Sequence, residues 1–276
     1  MNPETFNEFK NFIETNLGIK IPPSKKIMLE SRLAKRLRAL KMSNYEEYCQ
    51  YVFSEEGFAR EVQQLIDVVT TNETDFFREG KHFEILTNQI LSELVVEKQI
   101  QELNVWSVAA STGQESYTLA MILEDFLSGH QSFRYRILGT DISEKVLRIA
   151  ETGIYTENQI KKIPPAMKTR YCMKSLNREE KTIRFKPDIR EKIMFRRMNL
   201  MDESYPIKKK YHIVFCRNVF IYFDRQTQKK VLDRIYSHMA PGGYLFMGHS
   251  ENIGSTHLPL KSIASAVYKN TAEERI

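Results

Sequence analysis

A chain of 276 residues, 42% of them hydrophobic, with a formal charge of +6 has the apolar material for one large core or two modest ones. It contains no run of about 18 apolar residues and no basic segment followed by an apolar one at its start, which excludes spanning and secreted classes and predicts a soluble, cytoplasmic protein. Cys49, Cys172 and Cys216 are too few and too scattered for a disulfide framework or a paired zinc site, so no metal is predicted.

Residues 1–70 read as a helical domain. Phe6, Phe9, Ile13 and Leu17 recur at helical spacing, as do Leu29, Leu33, Leu37 and Leu40, and then Phe58, Val62, Leu65, Ile66 and Val69. Pro22 and Pro23 separate the first helix from the second, and Ser43 with Glu46 forms a predicted capping box. Charge in this domain is polarised. Eight of its ten basic residues lie between Lys20 and Lys41, against one acid, Glu30.

From residue 71 onward the pattern changes to short apolar runs, 105–109, 136–139, 213–216 and 244–247, alternating with helical stretches at 117–127 and 227–239. Such alternation predicts an α/β fold with a mainly parallel sheet. Residues 171–197 are charged, broken by Pro187, and read as a small inserted β-element.

Four segments carry chemistry. At 109–115, between a strand and a helix, a small-residue turn lets a ligand approach the backbone, and Glu115 suits a cationic ligand group. Asp141 follows an apolar strand, where a carboxylate can accept hydrogen bonds from ribose hydroxyls; capping of the next helix is the alternative. The run 216–224 directly follows another apolar strand and sets Arg217, Asn218 and Tyr222 at a sheet's carboxyl edge. The run 70–79 lies at the junction of the two domains, where clefts favour ligands.

Together these segments resemble the chemotaxis receptor methyltransferase family. The resemblance runs in order through 71–78, 111–117, 139–142, Gly153-Ile154-Tyr155, Asn199-Leu200, 216–224 and 248–252. It departs at Ala110, Gln114 and Ser116, where cysteine, glutamate and proline are common in the family, and it keeps Glu115. The resemblance implies a helical domain before a Rossmann-like domain that binds S-adenosylmethionine and carries the β-insertion. It implies that Asn72, Thr74, Arg78, Glu115, Asp141, Asn199, Leu200, Arg217 and Asn218 line the cofactor pocket. Asp141 would hold the ribose, Glu115 would face the ammonium, and Asn199 with Leu200 would clasp the adenine. Arg78 and Tyr222 would be catalytic, orienting the substrate carboxylate.

The implied reaction makes methyl esters of receptor glutamates. A glutamate of pKa about 4.3 is already ionised near neutrality, so no general base is needed. Exclusion of water and alignment should therefore do most of the work. Arg32, Lys35 and Arg38, on a helix read over 25–41 and outside the proposed pocket, would attract an acidic receptor helix. The alternatives are a nucleic-acid methyltransferase, which would favour a continuous basic surface with stacking aromatics that Glu115, Asp141 and the neutral helical domain do not advertise, and a non-catalytic cofactor sensor. No nucleic acid is expected as a partner.

Overall fold

The computed structural model describes residues 1–129, 133–177, 179–254 and 256–273. Helices α1 (Pro3–Leu17), α2 (Lys26–Leu40), α3 (Tyr45–Val52) and α4 (Glu55–Val69) form the first unit. Phe9, Ile13, Leu29, Leu33, Tyr48 and Leu65 are fully buried among them, as the helical spacing requires. Phe58, expected on the same apolar face, is 45% exposed and touches only the rim, edge-on to Phe12. The Arg36 guanidinium reaches Glu61 at 2.6 and 2.9 Å, and the Tyr48 hydroxyl donates to the same carboxylate at 3.1 Å. A buried acid is thereby paired and hydrogen-bonded rather than left unsatisfied.

Two local expectations shift. Helix α1 ends at Gly18, in the left-handed region at φ 70, four residues before Pro22, because a left-handed glycine is the stronger stop. The capping box sits one residue on from Ser43. Asn44, at least as good an N-cap as serine, accepts from Glu47 N–H at 2.8 Å, and Glu47 accepts from Ser43 N–H at 2.9 Å.

The second unit begins with α5 (Lys81–Ile85), extended by wider π-type turns through Leu86–Ile90 and Ser92–Glu97. There follow β1 (Glu102–Val108), α6 (Gln114–Gly129), β2 (Arg134–Asp141), α7 (Glu144–Thr152), β3 (Ile154–Thr156), α8 (Pro165–Tyr171), β4 (Cys172–Lys174), β5 (Thr182–Phe185), α9 (Pro187–Arg190) and β6 (Ile193–Arg197). The chain closes with β7 (Tyr211–Cys216), α10 (Arg225–Ser237), β8 (Met239–Met247), β9 (Leu260–Ala264) and β10 (Val267–Asn270). The main sheet runs β6-β2-β1-β7-β8-β10-β9. Its first five strands are parallel, and β10 runs antiparallel to both of its neighbours, β8 and β9.

Alternation along the strands divides the core. Val105, Ile137, Ile213, Phe215 and Phe246 face one apolar cluster, while Trp106, Leu138, Val214 and Leu245 face another on the opposite side. The small second sheet has the order β3-β5-β4, all antiparallel. This corrects the insertion expected over 171–197. The small sheet draws its first strand from Ile154–Thr156, and Ile193–Arg197 instead pairs in parallel with β2 at the edge of the main sheet. No helix among the described residues is long and apolar enough to cross a membrane.

Candidate active site

The carboxyl ends of β1, β2 and β7 converge on one cleft. The turn leaving β1 has Ala109 and Ser111 at φ 54 and 50, with Gly113 at φ 94. A Cβ on Gly113 would lie 2.8 Å from the Ala150 methyl and 2.9 Å from the Tyr155 hydroxyl, so only glycine lets α6 start this close to α7. Beside that turn, Asp141 is 7% exposed. Its Oδ2 accepts from Ser111 N–H at 2.9 Å and its Oδ1 from Ser143 N–H at 3.0 Å. Burial raises its pKa, and the backbone N–H groups partly offset that. The N-cap of α7 is Ser143, so the capping alternative for Asp141 does not hold.

At the end of β7, Arg217 is the hub of the charged groups. Its Nε donates to Glu115 at 2.7 Å, and Ser107 donates to the other Glu115 oxygen at 2.7 Å. Arg217 Nη1 donates to the Arg78 carbonyl at 2.8 Å and lies 3.4 Å from Glu79 and 3.2 Å from His82 Nδ1. The guanidinium carbon sits 5.3 and 5.5 Å from the ring centres of Phe83 and Phe215, a cation–π arrangement. Burial, then the neighbouring Arg217 charge, lowers the pKa of His82 to about 4, so the ring is uncharged near neutrality. Glu79, His82 and His249 have ligand atoms within 4.8 Å of one another, but the guanidinium already supplies the positive charge there and opposes a metal ion.

The helical unit forms part of the cleft. Leu17 and Ile19 line it, Asn199 Nδ2 donates to the Asn16 carbonyl at 2.8 Å, and Lys20 N–H donates to the Tyr222 carbonyl at 3.0 Å. Arg32 donates to the Val69 carbonyl and, at 2.7 Å, to the Thr71 hydroxyl. No residue of α2 lines the cleft, as expected, but Arg32 anchors the segment that carries Asn72 and Thr74, while Lys35 and Arg38 are exposed. Burial lowers the pKa of Arg32.

Asn72, Thr74, Arg78, Glu115, Asp141, Asn199, Leu200, Arg217, Asn218 and Tyr222 all line this one cleft. Two are less open to a ligand than the resemblance implies. Both oxygens of Glu115 already have a donor, and the Asn199 amide is engaged by Asn16 and by Met201 N–H. The departures at the turn are absorbed locally: Ala110 N–H donates to Thr140, and Gln114 accepts from the Thr112 hydroxyl. Among the described residues Ser116 Oγ has no partner. Glu79, His82 and Arg32 carry structural weight that motif reading did not assign; the one signal was the position of Glu79 directly after Arg78.

The donor set fits S-adenosylmethionine. Each Asp141 oxygen accepts one N–H and retains a lone pair for a ribose hydroxyl. Glu73, Glu115 and Asp141 outnumber Arg78 and Arg217 along the cleft, as a ligand with sulfonium and ammonium charges requires. Val69, Ile142, Met198 and Leu200 give apolar walls for a base. Fold and site thus define an S-adenosylmethionine-dependent methyltransferase.

Residues 4–70 match the model for the CheR methyltransferase all-alpha domain, and residues 72–269 that for the CheR methyltransferase SAM binding domain. The chain belongs to the CheR methyltransferase family. A chemotaxis protein methyltransferase of Borreliella burgdorferi is 37% identical over 93% of this chain and 90% of its own. That of Escherichia coli is 35% identical over 90% and 84%, and chemotaxis protein methyltransferase 2 of Pseudomonas aeruginosa 33% over 96% and 92%. These relatives favour S-adenosylmethionine-dependent methylation in chemotaxis over both the nucleic-acid and the sensor alternatives.

Proposed function

We propose that this chain esterifies glutamate side-chain carboxylates of bacterial chemoreceptors, in the cytoplasm, with S-adenosylmethionine as the methyl source. The observation that carries the reading is that Arg78 and Tyr222 line the same cleft as Asp141 and Glu115. S-adenosylmethionine supplies a methyl group activated by its sulfonium. Arg78 is half-buried and spends one contact, from Nη1 to the Glu73 carbonyl at 3.0 Å, which leaves most of its planar fork for a carboxylate. Tyr222 adds a hydroxyl donor. The two groups would fix the direction from which an ionised carboxylate approaches, while Val219 and Phe223 narrow the space open to water. Partial exposure of Arg78 also serves turnover, because a tighter grip would stabilise the ground state.

For the receptor, Lys35 and Arg38 with Lys41 give α2 an exposed basic surface, complementary to a helix bearing glutamates. Arg32 contributes instead by holding Val69 and Thr71. The test is incubation with radiolabelled S-adenosylmethionine and a receptor cytoplasmic fragment, beside the same fragment with its helix glutamates changed to alanine. Label should enter the first alone. Label in both, or in neither, contradicts the reading.

A further inference from the structure

Glu251, in the loop after β8, is 6% exposed, and its carboxylate accepts four main-chain N–H groups from two separate loops. Oε2 takes those of Gly248 at 2.7 Å and Asn218 at 2.8 Å; Oε1 takes those of Phe220 at 2.7 Å and Ile221 at 3.3 Å. Among the described residues no cation pairs with this acid within ion-pair distance. Backbone dipoles compensate it, as in an anion-binding nest.

The donors are not arbitrary. Asn218 is held in the left-handed region at φ 59, a conformation that persists only when its surroundings over-determine it. Phe220 and Ile221 open the 3₁₀ turn Phe220–Tyr222, whose third residue is Tyr222. Gly248 admits the second loop: a Cβ there would meet the Glu251 carboxylate at 2.7 Å and the Asn218 side-chain Nδ2 at 2.8 Å. The Gly248–Glu251 loop thus grips the backbone on both sides of Val219, and Tyr222 follows without a free residue between.

We propose that Glu251 is a positioning residue for methyl transfer, fixing the turn that presents Asn218 and Tyr222 to the cleft. The inference rests on the role proposed above for Tyr222. Removing the negative charge in Glu251→Gln turns an NH2 group toward backbone donors, so at least two of the four contacts are lost. Glu251→Asp keeps the charge on a shorter arm that cannot span both loops, and serves if the glutamine variant folds poorly.

Two measurements on the intact chain test it. Hydrogen exchange of 216–224 should quicken in Glu251→Gln while that of the β1 strand is unchanged; unchanged exchange in the turn overturns the inference. Single-turnover rates at saturating cofactor, for Glu251→Gln, Tyr222→Phe and the double variant, should show about a tenfold or greater loss from the first change that largely disappears in the phenylalanine background. Losses that simply multiply overturn it. Glu93→Gln, which breaks contacts to Lys98 and Lys269 at 2.9 and 2.7 Å away from the cleft, is the purely structural comparison. It should lower the melting temperature and leave the transfer rate unmoved. If the wild type labels no receptor, the proposed function fails, and the exchange result still decides whether Glu251 holds the turn.

Discussion

Arg217 Nη1 donates to the main-chain carbonyl of Arg78 at 2.8 Å while its Nε holds Glu115 at 2.7 Å. One guanidinium therefore joins the acid in the first turn of α6 to the backbone of the residue proposed to orient the substrate. The residues proposed for cofactor binding and for substrate alignment thus share a support.

Arg217→Lys tests that sharing. A lysine is a point charge that cannot meet two acceptors in a fixed fork. Both S-adenosylhomocysteine affinity, by titration calorimetry, and single-turnover rate should fall by about tenfold or more. A loss in affinity alone would separate Arg217 from the placement of Arg78.

Asp141→Ala should weaken S-adenosylhomocysteine binding by about ten- to a hundredfold, the scale of about 1.5 to 3 kcal/mol for charge-assisted hydrogen bonds. Because burial raises the Asp141 pKa, the carboxylate picks up its proton at a higher pH than an ordinary aspartate. Wild-type affinity should therefore hold at high pH and decline as pH falls through that raised value, and the alanine variant should lack this step. Equal affinities for the two proteins would remove Asp141 from the site.

Tyr222→Phe keeps the ring against its apolar neighbours and removes only the hydroxyl. Turnover should fall by about ten- to a hundredfold with cofactor affinity nearly intact. A wild-type single-turnover rate would reduce Tyr222 to packing.

Much of this site was legible because each strand that feeds it ends in a change from apolar to polar residues: Val108 before the 109–115 turn, Leu138 and Gly139 before Thr140 and Asp141, Cys216 before Arg217. The legible residues are those whose role is set by the end of one element. What stayed hidden depends on contacts between distant segments. Ile193–Arg197 looks like part of a local hairpin insertion, yet its partner is β2, more than fifty residues earlier. Arg32 reads as one more surface cation until the return of α4 brings the Val69 carbonyl to it. Glu251 sits in a recognisable segment, but only the fold shows that two loops meet at its carboxylate.

The basic surface of α2 can be separated from the pocket. Changing Lys35 and Arg38 together to glutamine should slow methylation of an intact receptor at low salt and leave cofactor affinity unchanged. The deficit should shrink at high salt, where screening already weakens the wild-type attraction. Arg32→Gln should instead alter cofactor affinity, through the loss of its contacts to Val69 and Thr71. Unchanged receptor kinetics at low salt would make Lys35 and Arg38 an ordinary solvated face.

The central claim is that the new bond is a carboxyl methyl ester, and mild alkali reads that bond directly. Receptor labelled by this chain from methyl-radiolabelled S-adenosylmethionine should release its label as volatile methanol, because esters hydrolyse under conditions that leave methyl-lysine and methylated nucleic acid intact. Label that stays on the receptor after alkali would contradict the account.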